Sequence, residues 1–284
     1  MVIPGLLLVF IFNYIPMYGV IIAFQKYNPA EGFFGGEWVG LLYFKQFFSN
    51  PLSFQIIRNT LLLGVFSLVW GFPAPILLAL LLDQLQNAKF KKVVQTISYF
   101  PYFISTVVIV GLLKQLLSFD GVVNYFLTRI GLDAVPFLTD ASYFRSIFIS
   151  SGIWQTVGFS SIIYLAALTN VDPELIEASM IDGANRIQRV WYISIPTILP
   201  TIVITMIFSI SGILGSDFQK VLLLYNPATY STADVIQTYV YRQGIAGGSF
   251  EFATAVGLFT SVLSTLLIIF ANRVAKTFSE YSLW

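Results

Sequence analysis

Residues 1–24, 59–82, 93–113, 146–171, 190–216 and 252–272 contain no Asp, Glu, Lys or Arg. A membrane helix needs roughly 20 consecutive apolar residues, and each of these six runs is long enough. No seventh run exists in the sequence. The chain is 57% hydrophobic and only 10% charged, whereas a soluble domain has about 25% charged residues. The pattern predicts an all-α, polytopic membrane protein with six transmembrane helices. The first run holds Pro16 and Gly19 and lacks a small-residue cleavage site, unlike a simple signal peptide.

Flanking charges place the spans at about 1–24, 59–82, 93–117, 144–169, 197–216 and 252–273, with a polar loop at 170–196. One domain, 1–284, accounts for them. Six spans put both ends on one side. With the ends inside, the inner loops hold Lys89, Lys91, Lys92, Arg186, Arg189, Arg273 and Lys276. Their density agrees with the positive-inside rule. The abrupt apolar start leaves room for a preceding basic segment.

Several function classes are closed by composition. The chain has no Cys and no His. Thiolate chemistry, disulfides, His-based acid/base catalysis and most zinc sites are therefore excluded. No GxxxxGK[ST] loop is present, so the chain has no such cradle for ATP phosphates. A net charge of +1 gives no basic surface for nucleic acid. No uncharged run contains a carboxylate for ion coupling. A secondary carrier so coupled is disfavoured, while a passive channel stays open. A membrane enzyme would need a convergent Ser-Lys pair, and none is visible.

Prolines punctuate the spans: Pro16, Pro73 and Pro75, Pro101 and Pro200. Each removes a helix hydrogen bond, which serves either bundle geometry or gating. LLYFKQFF, 41–48, is expected to form an interfacial helix.

Most of the charge between spans four and five lies in ELIEASMIDGANRIQRVWYISIPTILP, 174–200. Asp172 is a suitable N-cap and Pro173 suits the first helical turn. Glu174 lies near the positive helix end. Leu175, Ile176, Ser179 and Met180 give one face, and Asp182-Gly183 ends the helix. A second short helix is expected next, with Ile187, Val190 and Trp191 on one side, and Pro196 marks a kink. By shape alone such an element docks into a partner's groove or lies on the bilayer surface.

Within it, Glu177-Ala178-Ser179 is followed by three residues and Gly183, then by nine residues and Ile193-Ser194-Ile195-Pro196. This resembles the EAA-x3-G-x9-I-x-L-P loop of permease subunits of bacterial ABC importers. Ser179 and Ile195 depart from the pattern but keep its size or apolarity. YIPMYGVIIAFQKYNP, RNTLLLG, QTISYFPYFIS, VLLLYNPATY, TYVYRQG and the terminal YSLW are similar to the polysaccharide- and oligosaccharide-uptake branch. That branch includes alginate importers and is related to the maltose transporter permeases.

The resemblance implies a type I importer permease fold in a bacterial inner membrane, with both termini cytoplasmic. It implies a second homologous permease, two ATP-binding subunits and an extracytoplasmic sugar-binding protein. No cofactor is expected in this chain; ATP and Mg would sit on the ATPase subunits. Glu177, Ala178, Ser179, Asp182, Gly183, Ile193, Ile195 and Pro196 would couple to the ATPase. Glu177 by itself reads equally as a solvated carboxylate. The cargo would be an oligo- or polysaccharide, with alginate or another uronate among the candidates.

A sugar path needs polar and aromatic side chains inside the spans. Gly152, Gln155, Thr156 and Phe159 share a helical face in span four. Ser209, Gly212 and Ser216 do so in span five, with Asp217 at its outer end. Close helix packing would explain the small residues equally well. For a polyanion, Lys114, Arg145, Lys220 and Arg242 are the basic candidates. The aromatic stretch 217–251, with Tyr225, Tyr230, Tyr239 and Tyr241, is expected to form a loop. It would either dock a binding protein or pack as an interfacial lid.

Overall fold

The computed structural model describes residues 2–28, 32–215 and 217–278. Among these described residues, six helical segments are long and apolar enough to cross a membrane: Ile3–Phe24, Ser53–Asp83, Thr106–Arg129, Phe144–Leu168, Arg186–Ser211 and Phe250–Thr277.

The chain begins with α1 (Ile3–Val9), which passes into a π-helical turn and a 3-10 stretch around Pro16. Two short strands follow, β1 (Gln25–Lys26) and β2 (Glu37–Trp38), paired antiparallel with Gln25 opposite Trp38. Next come α2 (Leu42–Ser49), α3 (Ser53–Gly71) and α4 (Pro73–Asp83). Asn87 caps α5 (Ala88–Tyr99) through two backbone amides. Beyond it lie α6 (Thr106–Leu117), α7 (Val122–Arg129) and the long α8 (Phe144–Leu168). The polar segment contains α9 (Pro173–Ile181) and α10 (Arg186–Arg189), and leads into α11 (Ile195–Ser211). Then come α12 (Phe218–Leu224), α13 (Tyr230–Ala233), α14 (Ile236–Val240) and finally α15 (Phe250–Phe278).

The packing divides into two compact units, 1–60 with 234–265, and 61–233 with 266–284. The boundaries fall inside α3 and α15. In the first unit, α2 is part of the core. Phe47 is 1% exposed, with the rings of Phe48, Tyr239, Phe252 and Phe259 around it. Asn59 donates to the Asp234 carbonyl, and Ile236 N–H donates to Thr60 Oγ1. The Arg242 guanidinium holds both Asp234 oxygens. Residues 234–251 are thus short helices with core residues, rather than loop, and Arg242 has a protein partner.

The second unit is organised around α8, which packs against α4, α5 and α11. The span expected over 93–117, with Pro101 inside it, is not one kinked helix but two separate ones. Pro101 has no N–H to offer the preceding turn, so α5 ends at Tyr99 and a 3-10 turn spans Phe100–Phe103. Ser105 then caps a new helix, α6. The segment long and apolar enough to cross here runs from Thr106 to Arg129, through α6 and α7.

Gly158 lets α8 lie directly on this break. A Cβ there would run into the Ser98 carbonyl. Gly158→Val should therefore destabilise the protein by about 1–3 kcal/mol, the usual range for overpacking. Gly111→Ala is the control, because a Cβ at Gly111 meets nothing within 4 Å. Unfolding midpoints in lipid nanodiscs should fall for the first variant and hold for the second; equal midpoints would contradict this packing.

Candidate functional site: a membrane cavity and an exposed elbow

Two features of the second unit converge on the same helices. The first is a cavity of about 860 Å³. Gly152, Gln155, Thr156 and Phe159 line it from α8, and Ser209 and Gly212 from the end of α11. Asp217, the N-cap of α12, also lines it. Ser216 lies outside the described residues.

The polar groups have a consistent orientation. Thr156 Oγ1 donates to the Gly152 carbonyl at 2.9 Å, and Ser209 Oγ to the Thr205 carbonyl at 2.8 Å. With their protons used inside the helix, both hydroxyls keep lone pairs to accept hydrogen bonds. Gln155 Nε2 points to the Ile104 carbonyl at 3.5 Å, across the break at Pro101. Phe159 stacks on Tyr102 with centroids 3.9 Å apart and planes 4° from parallel. The wall therefore combines hydrogen-bond acceptors with an aromatic pair.

The sequence did not single out Tyr102, Phe148, Tyr164 or Thr205, which also line the cavity. Tyr164 Oη and Thr205 Oγ1 join α8 to α11 at 2.9 Å. Helical spacing offered a signal for Thr205, four residues before Ser209, whereas Tyr164 lies off the face of Gly152, Gln155, Thr156 and Phe159. Of the basic candidates, only Lys220 reaches the cavity; Lys114, Arg145 and Arg242 are not among its lining residues. Burial pushes the Lys220 ammonium down to about 8, while the Asp217 carboxylate pulls it upward.

The second feature is the segment between α8 and α11. Asp172 accepts the Glu174 N–H at 2.9 Å and opens α9. At its end Gly183 has φ +81°, the left-handed region. Ala184 N–H donates to the Ser179 carbonyl at 2.9 Å and Gly183 N–H to the Met180 carbonyl at 3.1 Å. This is a Schellman stop. Asn185 and Gln188 then cap each other's backbones reciprocally, at 2.9 and 2.8 Å. Arg189 Nη1 donates to the Ala184 carbonyl at 2.9 Å and holds the corner.

The second short helix expected here does not stand alone. From Arg186 the helix runs on through a π-helical turn, Val190–Ser194, into α11. Pro196 cannot donate to the preceding turn. The wider π turn before it, closed by Ile195 N–H to the Val190 carbonyl, accommodates the mismatch without ending the helix.

Glu177, Ala178, Asp182 and Gly183 are exposed, as is Pro196, while Ser179, Ile193 and Ile195 are half-buried. No residue of α9 is buried. Ile181 is 87% exposed, Ile187 70% and Trp191 63%. Large apolar side chains thus cover an elbow that nothing in the described chain covers in return.

Residues 71–280 match the family described as "Binding-protein-dependent transport system inner membrane component". Protein LplB of Bacillus subtilis is 43% identical, over 100% of this chain and 90% of that one. A polygalacturonan/rhamnogalacturonan transport system permease protein, YteP, from the same organism is 42% identical over 100% of this chain and 89% of its own. Among solved structures, one chain of a bacterial alginate ABC transporter, in complex with alginate pentasaccharide-bound periplasmic protein, has a TM-score of 0.92. It shows 41% identity, covering 100% of this chain and 95% of that chain.

The elbow geometry makes a test independent of any partner. Gly183→Ala should lose about 1–2 kcal/mol of local stability, the penalty for a Cβ in the left-handed region. A Cβ there meets nothing within 4 Å, so the effect is purely conformational. Gly183→Asn should lose less, since asparagine tolerates this region. Hydrogen exchange across 173–189 should quicken in the order Gly, Asn, Ala; identical rates in all three would contradict the left-handed stop.

Proposed function

We propose that this chain, which belongs to the family of binding-protein-dependent transport system inner membrane components, carries oligo- or polysaccharide through its cavity and takes its drive through its elbow. Two of the systems to which it is similar are named for polygalacturonan/rhamnogalacturonan and for alginate. Acidic polysaccharide is therefore the cargo class this reading favours. The chain is a multi-pass subunit of the bacterial inner membrane, and both termini face the cytoplasm.

One observation carries the reading. Two of the helices that wall the cavity, α8 and α11, are the ones that the elbow joins, beside α3 and α4. A push on the elbow reaches the cavity without crossing any other element. Glu177, Ala178, Ser179, Asp182 and Gly183 form its surface, with Ile193, Ile195 and Pro196 at its hinge to α11. An apolar, capped, protruding helix suits a groove on a partner, and the partner here is an ATP-binding subunit. ATP and Mg sit on two such subunits. A second homologous permease provides the other half of the path, and an extracytoplasmic sugar-binding protein delivers cargo. The path alternates between outward- and inward-facing states as ATP is bound and hydrolysed. Gly152, Gln155, Thr156, Phe159, Ser209, Gly212 and Asp217 meet the sugar, the hydroxyls as acceptors and the aromatic pair as a stacking face.

ATPase activity of the co-purified complex in lipid, with and without sugar-loaded binding protein, tests the coupling. Proline fixes φ near −65° and cannot hold the Gly183 turn. Gly183→Pro should leave the complex assembled and reduce sugar-dependent stimulation at least tenfold. Full stimulation in that variant would remove the elbow from the mechanism.

A further inference from the structure

Lys220 differs from the other polar residues of the cavity. It is 1% exposed, and its Nζ has no hydrogen-bond partner among the described residues. The Phe148 ring lies 5.1 Å from the ammonium, which offsets part of its lost hydration. A ring face accepts no conventional set of three N–H bonds. Asp217 is close in sequence, but its carboxylate accepts the backbone N–H of Lys220 at 3.1 Å. Gly152, itself in the cavity wall, puts only hydrogen where a Cβ would stand 3.4 Å from Nζ. The fold thus keeps a cation beside the cavity, free of protein acceptors and screened from it by no side chain at position 152. A buried ammonium without an acceptor is unfavourable, so the arrangement calls for an anion from outside the chain.

We propose that Lys220 is the receptor for a carboxylate of the passing sugar, so that the cavity selects uronate residues over neutral ones. This rests on the importer reading above and deepens it. A carboxylate suits the site better than a phosphate. One ammonium matches one negative charge, and the Asp217 carboxylate nearby already offsets part of it, so a dianion would leave a larger excess.

The test uses the assembled complex in proteoliposomes. The probes are trisaccharides of galacturonate and of alginate, each with its carboxyl-reduced neutral counterpart. The wild type should take up an acidic probe with a lower KM than its neutral counterpart. Lys220→Met should narrow that preference at least tenfold, and Lys220→Arg should restore most of it. The thermal unfolding midpoint adds a readout without turnover. An acidic probe should raise it in the wild type and fail to do so in Lys220→Met. An equal loss for acidic and neutral probes would make Lys220 structural and overturn the proposal. Uptake of neutral probes alone by the wild type would overturn it while leaving the importer intact. A complex that takes up no probe and binds no ATPase subunit would overturn both.

Discussion

The second unit depends on how a broken backbone is covered just before its third span. A buried carbonyl needs a donor, and a helix break leaves carbonyls without one. Pro101 interrupts the helix begun at α5, and the chain between Tyr99 and Thr106 leaves regular helical pairing. Helix α8 answers with three residues within little more than one turn. Gly158 lets its backbone settle against Ser98 and Tyr99. Gln155 reaches the Ile104 carbonyl, and Phe159 stacks on Tyr102. The same side of α8 that closes the break also faces the cavity. Packing and site are therefore one constraint, and the polar face of span four serves both.

From that fixed contact, α8 continues toward the elbow end of the unit. There Tyr164 and Leu168 pack with Ala79, Leu80 and Ile198, so α8, α4 and the start of α11 share one apolar cluster. The Tyr164–Thr205 hydrogen bond ties two of these helices, α8 and α11, at the cavity itself. The 25 residues of α8 span about 37 Å at 1.5 Å per residue. A helix of that length, held at the break and at the cluster, carries displacement along its axis better than it bends.

Local chemistry was the legible part of the sequence. The Asp172 cap, the Gly183 stop and the helical face 152–159 follow from residue types at fixed spacing, and the structure places them so. Other features depend on partners far along the chain. Tyr239 looked like a surface aromatic, but it joins Phe47, almost 200 residues away, in a core. Arg242 looked available to a polyanion until Asp234 was found against it. The division at Pro101 was visible as a proline, but whether the helix bends or restarts is decided by what lies against it. The merging of α10 into α11 was concealed for a related reason. Proline at 196 suggested a kink between separate elements, and the π turn before it lets the helix continue.

The elbow and the bundle are stabilised in different ways, and this difference shapes how motion enters. Each cap of the elbow is made by its own residues: Asp172 to Glu174, Ala184 to Ser179, Asn185 with Gln188, Arg189 to Ala184. With no buried residue, α9 gains little from packing within the chain. An element held by its own hydrogen bonds keeps its shape when it shifts, whereas one held by core contacts must give them up. A partner seated on Ile181, Ile187 and Trp191 would therefore move the elbow as a block. That motion leaves it by two routes, the 169–172 link to α8 and the π turn into α11. Because the π turn already departs from regular α pairing, rotation there breaks fewer good hydrogen bonds than it would inside α8 or α11. On the proposed coupling, displacement would be absorbed at the hinge and delivered to the cavity walls as movement of intact helices.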